Sequence, residues 1–211
     1  MYEQFFHVAQ KYPAFGRKML TYEDLRGIAA SERITISDAG LPNKLFSLFL
    51  RQKGRSYILI SNTATENGRW FLLGHELGHY FLHPPQTFAM SMDGNEMDPQ
   101  MELAIERKVE REANLFSTIC FLPNSLLDSM NAEGSLTLTK VVDYTISTLK
   151  LQEASSRKRA RIIANCIRRL RAYHEFRAAV EAVARMTAEL DKQVALEIQE
   201  LAGPHIFKAD L

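Results

Sequence analysis

The sequence predicts an α+β fold: a small antiparallel sheet packed on a helical core and followed by a helical C-terminal extension. Three observations carry this expectation. β-Forming residues concentrate between positions 34 and 62, around a glycine turn. Apolar residues recur at spacings of three and four from about residue 101 onward. A chain of 211 residues, 46% hydrophobic and 24% charged, has the size and composition of one ordinary domain with an appendage. The boundary is expected between a domain of residues 1–165 and an extension of residues 166–211.

Taken in order, residues 21–33 read as a short amphipathic helix, with Thr21 as its cap and Asp24 at the capping-box position. Residues 34–62 follow as the sheet: a short strand at 33–36, then Leu45–Leu50 and Tyr57–Ile60, the last two joined by a turn at Gln52-Lys53-Gly54-Arg55. Residues 70–83 form a buried helix, stopped by Pro84-Pro85 because proline offers no amide and disfavours helix in the residue before it. A loop over 86–99 leads into a helix at 101–121 that ends before Pro123. Two or more helices come next, with Gly134 between the first and a helix at 136–149. From about residue 157 to 201 the pattern is helical almost throughout, and Gly203-Pro204 supplies a stop.

Composition excludes several classes. Disorder, collagen and disulfide scaffolds do not fit. The net charge of +1 announces no nucleic-acid or membrane partner. Cys120 and Cys166 stand far apart without a CxxC pair, which favours a reduced setting. The N-terminus has no long apolar core, and the uncharged stretch 113–127 is too short to span a bilayer. A soluble, cytoplasmic protein with no membrane partner is the expectation.

The chemistry lies in His75-Glu76-Leu77-Gly78-His79. Residues four apart on a helix share a face, separated by about 6 Å along the axis. Both imidazoles therefore reach one cation, and Glu76 lies beside it as a general base for water. Such a site needs a third protein ligand. His83 continues the series but lies about 12 Å from His75 along the axis, and it is expected to serve packing or capping. Pro85 stands where a metzincin would place its third histidine, so that class is rejected. The remaining acids are Glu102, Glu106, Glu110 and Glu112 on the next helix. Ala113, Asn114 and Ser117 around Glu110 would let another helix approach closely, which favours Glu110, with Glu106 next. Two histidines and a carboxylate suit zinc, and suit manganese or iron as well. Asn62, His83 and Tyr144 are the candidates for stabilising an oxyanion.

His75-Glu-Leu-Gly-His79-Tyr-Phe-Leu-His83, then Glu110-Arg-Glu-Ala-Asn-Leu-Phe116, then Phe121-Leu122-Pro123 resemble the ImmA/IrrE family of metallopeptidases over roughly residues 20–165. Leu122 departs from the methionine usual there, and the tail beyond about residue 165 lies outside the recognisable pattern. The resemblance implies a zincin-like core, His75, His79 and Glu110 as metal ligands, and Glu76 as the general base. It also implies a zinc endopeptidase of bacteria and their mobile elements that cuts a helix-turn-helix repressor and so regulates transcription under stress. The alternative is a non-catalytic binding module, with a structural metal, that holds a repressor or a toxin-system partner.

Residues 150–177 carry nine basic and two acidic side chains. A solvated or salt-bridged face is the ordinary explanation for such a run, and nucleic-acid phosphates or an acidic substrate segment are the sharper ones. Further on, Phe176, Val180, Val183, Thr187, Leu190, Val194, Glu197 and Leu201 follow a 4-3-4-3-4-3-4 series. That stripe serves either docking onto the domain or association into a homodimer.

Overall fold

A computed structural model describes the backbone of residues 2–42, 45–83, 99–150 and 156–202, and within them the side chains of 3–42, 45–83, 107–150 and 159–196. The described elements run α1 (Tyr2–Lys11), α2 (Tyr22–Ser31), β1 (Ile34–Ala39), β2 (Ser47–Gln52), β3 (Arg55–Ser61), α3 (Glu66–Leu82), α4 (Pro99–Phe121), α5 (Asn124–Ala132), α6 (Leu138–Thr148) and α7 (Ser156–Ala202). The α+β class is as predicted. The loop expected at 86–99 lies almost wholly outside the described residues.

The sheet corrects one expectation. Its order is β1-β3-β2, with β2 antiparallel and β1 parallel to β3, so it is mixed rather than wholly antiparallel. The physical reason is insertion order. β2 and β3 form a tight hairpin whose turn residues Lys53 and Gly54 both take positive φ, 49° and 74°, the geometry that matches strand twist. The hairpin then offers its β3 side to β1, which leaves β1 and β2 as the two edge strands. Ile58 and Ile60 of β3 are fully buried.

Thr21 caps α2 through the predicted capping box with Asp24. Thr65, which carries no such expectation from sequence, caps α3 by accepting from the Gly68 amide, so the helix starts at Glu66 rather than at 70. Helix α1 is a further element that the sequence pattern does not announce. It buries Phe5 and Val8, and Phe5 and Phe15 join Phe116 of α4 in an aromatic cluster, with Phe15 and Phe116 centroids 4.6 Å apart.

The closest helix contact described is between α3 and α4. Gly74 faces Ser117 and Gly78 faces Ala113, so the two helices run antiparallel. A Cβ on Gly78 would lie 2.9 Å from the Ala113 Cα and 3.0 Å from the Phe116 Cβ. Only small residues permit this approach. Ser117 Oγ donates to the Phe71 carbonyl across the gap at 2.8 Å.

The chain divides into two compact units, residues 1–170 and residues 171–211. In the first, Arg169 is buried and its guanidinium donates to the Leu122 carbonyl (2.8 Å) and to Asn124 Oδ1 (2.6 Å). That arginine of the basic run is a structural anchor and no part of a solvated face. The second unit holds the remainder of α7, where Phe176, Val180, Val183, Leu190 and Val194 are all exposed. Cys120 and Cys166 are free thiols, both buried, and burial pushes both thiol pKa values up. Among the described residues no helix is long and apolar enough to cross a membrane.

Candidate metal centre and active site

Helix α3 projects His75 and His79 from one face, one turn apart, toward α4. The close approach at Gly78 brings Glu110 to them. His75 Nε2 lies 3.0 Å from His79 Nε2, and each is 3.3 Å from an oxygen of Glu110. A tetrahedral site with bonds of roughly 2.0–2.1 Å spaces its donors by about 3.3 Å. The three side chains therefore already hold the separations that one small divalent cation requires, and their donor atoms form the metal-compatible cluster found among the described residues. Two nitrogens and one oxygen suit such an ion and leave a fourth position free for water or substrate.

Electrostatics agree with this geometry. The neighbouring His75 and His79 rings hold the Glu110 carboxyl far below the usual carboxylate range. Burial alone would lower the His75 pKa, but the hydrogen bond with Glu110 and the charges of Glu76 and Glu110 raise it overall. Asn114, one turn beyond Glu110, returns its side-chain amide to the Glu110 carbonyl at 2.7 Å and supports that part of the helix. Glu106, the second choice for third ligand, falls outside the described side chains.

Glu76 is buried, 4% exposed, and one of its oxygens accepts from Ser47 Oγ at 2.5 Å. Ser47 opens the edge strand β2. No sequence signal points to it, because the contact joins positions 29 residues apart. The pair holds the carboxylate in a cleft of about 1370 Å³ lined also by Phe49, Phe71, His75, Glu110, Arg161 and Arg168. Small-molecule pockets run to roughly 300–1,000 Å³, so this cleft has room for a polypeptide segment. Two members of the basic run, Arg161 and Arg168, thus belong to the wall of the cleft.

The three oxyanion candidates separate. His83 lines the cleft, whereas Asn62 and Tyr144 are not among its lining residues; Tyr144 Oη instead contacts Met19 Sδ at 3.7 Å. His83 caps the end of α3, as expected, and is buried. It also makes a connection that its spacing does not reveal: its ring links His79 to Glu112. Burial lowers its pKa below the ordinary imidazole value, although Glu112 pulls the other way.

What the crossed helix pair and its edge strand build is a metallopeptidase-like domain. The family comparison gives the same answer independently, since the model of Peptidase M78, the IrrE N-terminal-like domain, matches residues 29–186. The chain belongs to that family. The match takes in the sheet, α3 and α4, and it extends past residue 165 into α7. No curated protein matches the chain. Membership of a metallopeptidase family implies a metal, and His75, His79 and Glu110 are the residues that fit one.

Proposed function

We propose that this chain is a zinc-dependent endopeptidase of the cytoplasm that cleaves a specific regulatory protein, such as a helix-turn-helix repressor. The observation that carries the proposal is the convergence of His75, His79 and Glu110 beside a buried Glu76 in a cleft of polypeptide size. When bound, zinc supplies a Lewis acid that polarises a carbonyl and lowers the pKa of water toward about 7.

The chain's own residues do the rest. Glu76 takes a proton from the attacking water and returns it to the leaving amine. Ser47 donates to one Glu76 oxygen, which leaves the other for that exchange. β2 lies at the edge of the sheet and lines the cleft, so its outer backbone row suits an extended substrate segment added as a further strand.

The test is Glu76→Gln assayed on a repressor encoded beside this protein. The variant keeps its metal and loses cleavage by at least about 100-fold, the smallest effect ordinarily expected of a general base. Cleavage at the wild-type rate would refute the mechanism. The exposed apolar series of the second unit favours a second reading, a binding module with a structural metal. Stoichiometric metal without cleavage of any repressor offered is the result that would select it.

A further inference from the structure

The metal ligands do not end the hydrogen-bonded constellation on α3. His75, His79 and His83 follow one another at four-residue intervals, and the third ring sits behind the second. His79 Nδ1, the nitrogen facing away from Glu110, lies 3.1 Å from His83 Nδ1. His83 Nε2 lies 3.2 Å from Glu112 Oε2. The two members beyond His79 are shielded: His83 is 4% exposed, and the Glu112 side chain 13%. Lys108 Nζ stands 4.0 Å from the other Glu112 oxygen.

With Glu112 as a carboxylate and His83 as a neutral ring, the hydrogens along this chain fall into one arrangement. An ionised carboxylate only accepts, so His83 Nε2 must carry the hydrogen it donates to Glu112. A neutral imidazole has one N–H, so His83 Nδ1 is then an acceptor. His79 Nδ1 must in turn carry the hydrogen of the 3.1 Å contact. That leaves the His79 Nε2 lone pair bare, and Nε2 is the atom that meets His75 and Glu110. His75 has no counterpart to this support: its Nδ1 is buried without a hydrogen-bond partner among the described residues.

We propose that Glu112, acting through His83, fixes the tautomer and ring orientation of His79 and so prepares it as a metal ligand. His83 and Glu112 are positioning residues and do not bind the metal themselves, because the His79 ring stands between His83 and the donor cluster. The proposal rests on the metal centre argued above, yet its test does not need catalysis. Outer partners of this kind typically contribute 10–100-fold to metal affinity.

The experiment measures zinc dissociation constants of the full-length chain by chelator competition. The variants are Glu112→Leu, Glu112→Gln, His83→Phe and the double variant Glu112→Leu/His83→Phe, each checked for native helix content by circular dichroism. Expected are losses of about 10–100-fold for Glu112→Leu and His83→Phe, and no further loss in the double variant. Glu112→Gln, which keeps an acceptor oxygen at the same reach, stays closer to wild type than Glu112→Leu. Unchanged zinc affinity in folded Glu112→Leu, or losses that simply add in the double variant, would overturn the relay. A failed relay with Glu76→Gln still inactive leaves the peptidase reading standing; the expected zinc losses in a protein that cleaves nothing leave the relay standing without it.

Discussion

At the scale of single residues, the proposed chemistry depends on one carboxylate being held where proton transfer needs it. Glu76 has almost no solvent around it, and Ser47 Oγ is its hydrogen-bond donor at 2.5 Å. A hydrogen bond to a charged group contributes about 1.5–3 kcal/mol. Ser47→Ala should therefore lower kcat about tenfold or more while KM changes little, because the serine orients the base and does not hold substrate. Steady-state kinetics on a repressor substrate of the proposed activity reads this, and a change confined to KM would show that Ser47 serves binding instead. The residues of the candidate metal centre were largely legible. Histidines four apart with a glutamate between them are chemistry that a helix brings together by itself. Glu110 needed the small residues around it and the family motif. Ser47 and the His83–Glu112 contact were not legible, since each depends on how separate elements meet, which local periodicity does not encode.

At the scale of elements, the helix crossing is the constraint. The glycine at position 78 looks from sequence like a poor helix residue, yet any Cβ there would lie 2.9 Å from the backbone of α4. Gly78→Ala should cost about 1–3 kcal/mol by overpacking and weaken zinc binding by moving Glu110. Gly27, on α2, has open space where a Cβ would lie, with nothing within 4 Å, so Gly27→Ala should stabilise by about 0.4–1 kcal/mol. Thermal melts of the two variants should thus shift in opposite directions.

A second device joins α1, α2 and α3. The Glu32 carboxylate accepts from Lys11 Nζ (2.6 Å), Tyr12 Oη (2.5 Å) and Tyr80 Oη (3.0 Å). Burial would raise its pKa, but these donors outweigh burial and hold it below the ordinary 4.5. The stabilisation is complete above pH 4.5 and is lost as pH falls through the lower folded value. Tyr12 and Tyr80, raised above 10.0 chiefly by burial, keep their contribution below pH 10.0 and lose it as pH rises through their folded values. Melting temperature against pH should fall at both limits, and Glu32→Gln should flatten the acid side. An unaltered acid limb in that variant would assign the loss to other groups. Helix periods and the hairpin turn were readable from sequence, but the parallel β1–β3 pairing was not. Alternation shows which face of a strand is buried, and the direction of its neighbour depends on which strand is inserted between the others.

At the scale of the whole molecule, near-neutral charge conceals a division of labour. Of the basic run, Arg169 braces the α4–α5 junction, while Arg161 and Arg168 line the cleft that also holds Glu76. The run is plain in the sequence, but a count of charges cannot sort anchors from cleft walls. The 4-3 series of the extension was likewise legible as a helix; a stripe reports that apolar residues share a face, and its partner is set by whatever surface complements it. All of the proposed chemistry rests on three side chains from two helices meeting at one point. The most direct test is a crystal structure of the zinc-loaded protein with anomalous data at the zinc edge. The expected result is one peak per chain, about 2.0–2.2 Å from His75 Nε2, His79 Nε2 and a Glu110 oxygen. A peak bound elsewhere, or one that leaves Glu110 outside bonding distance, would contradict it.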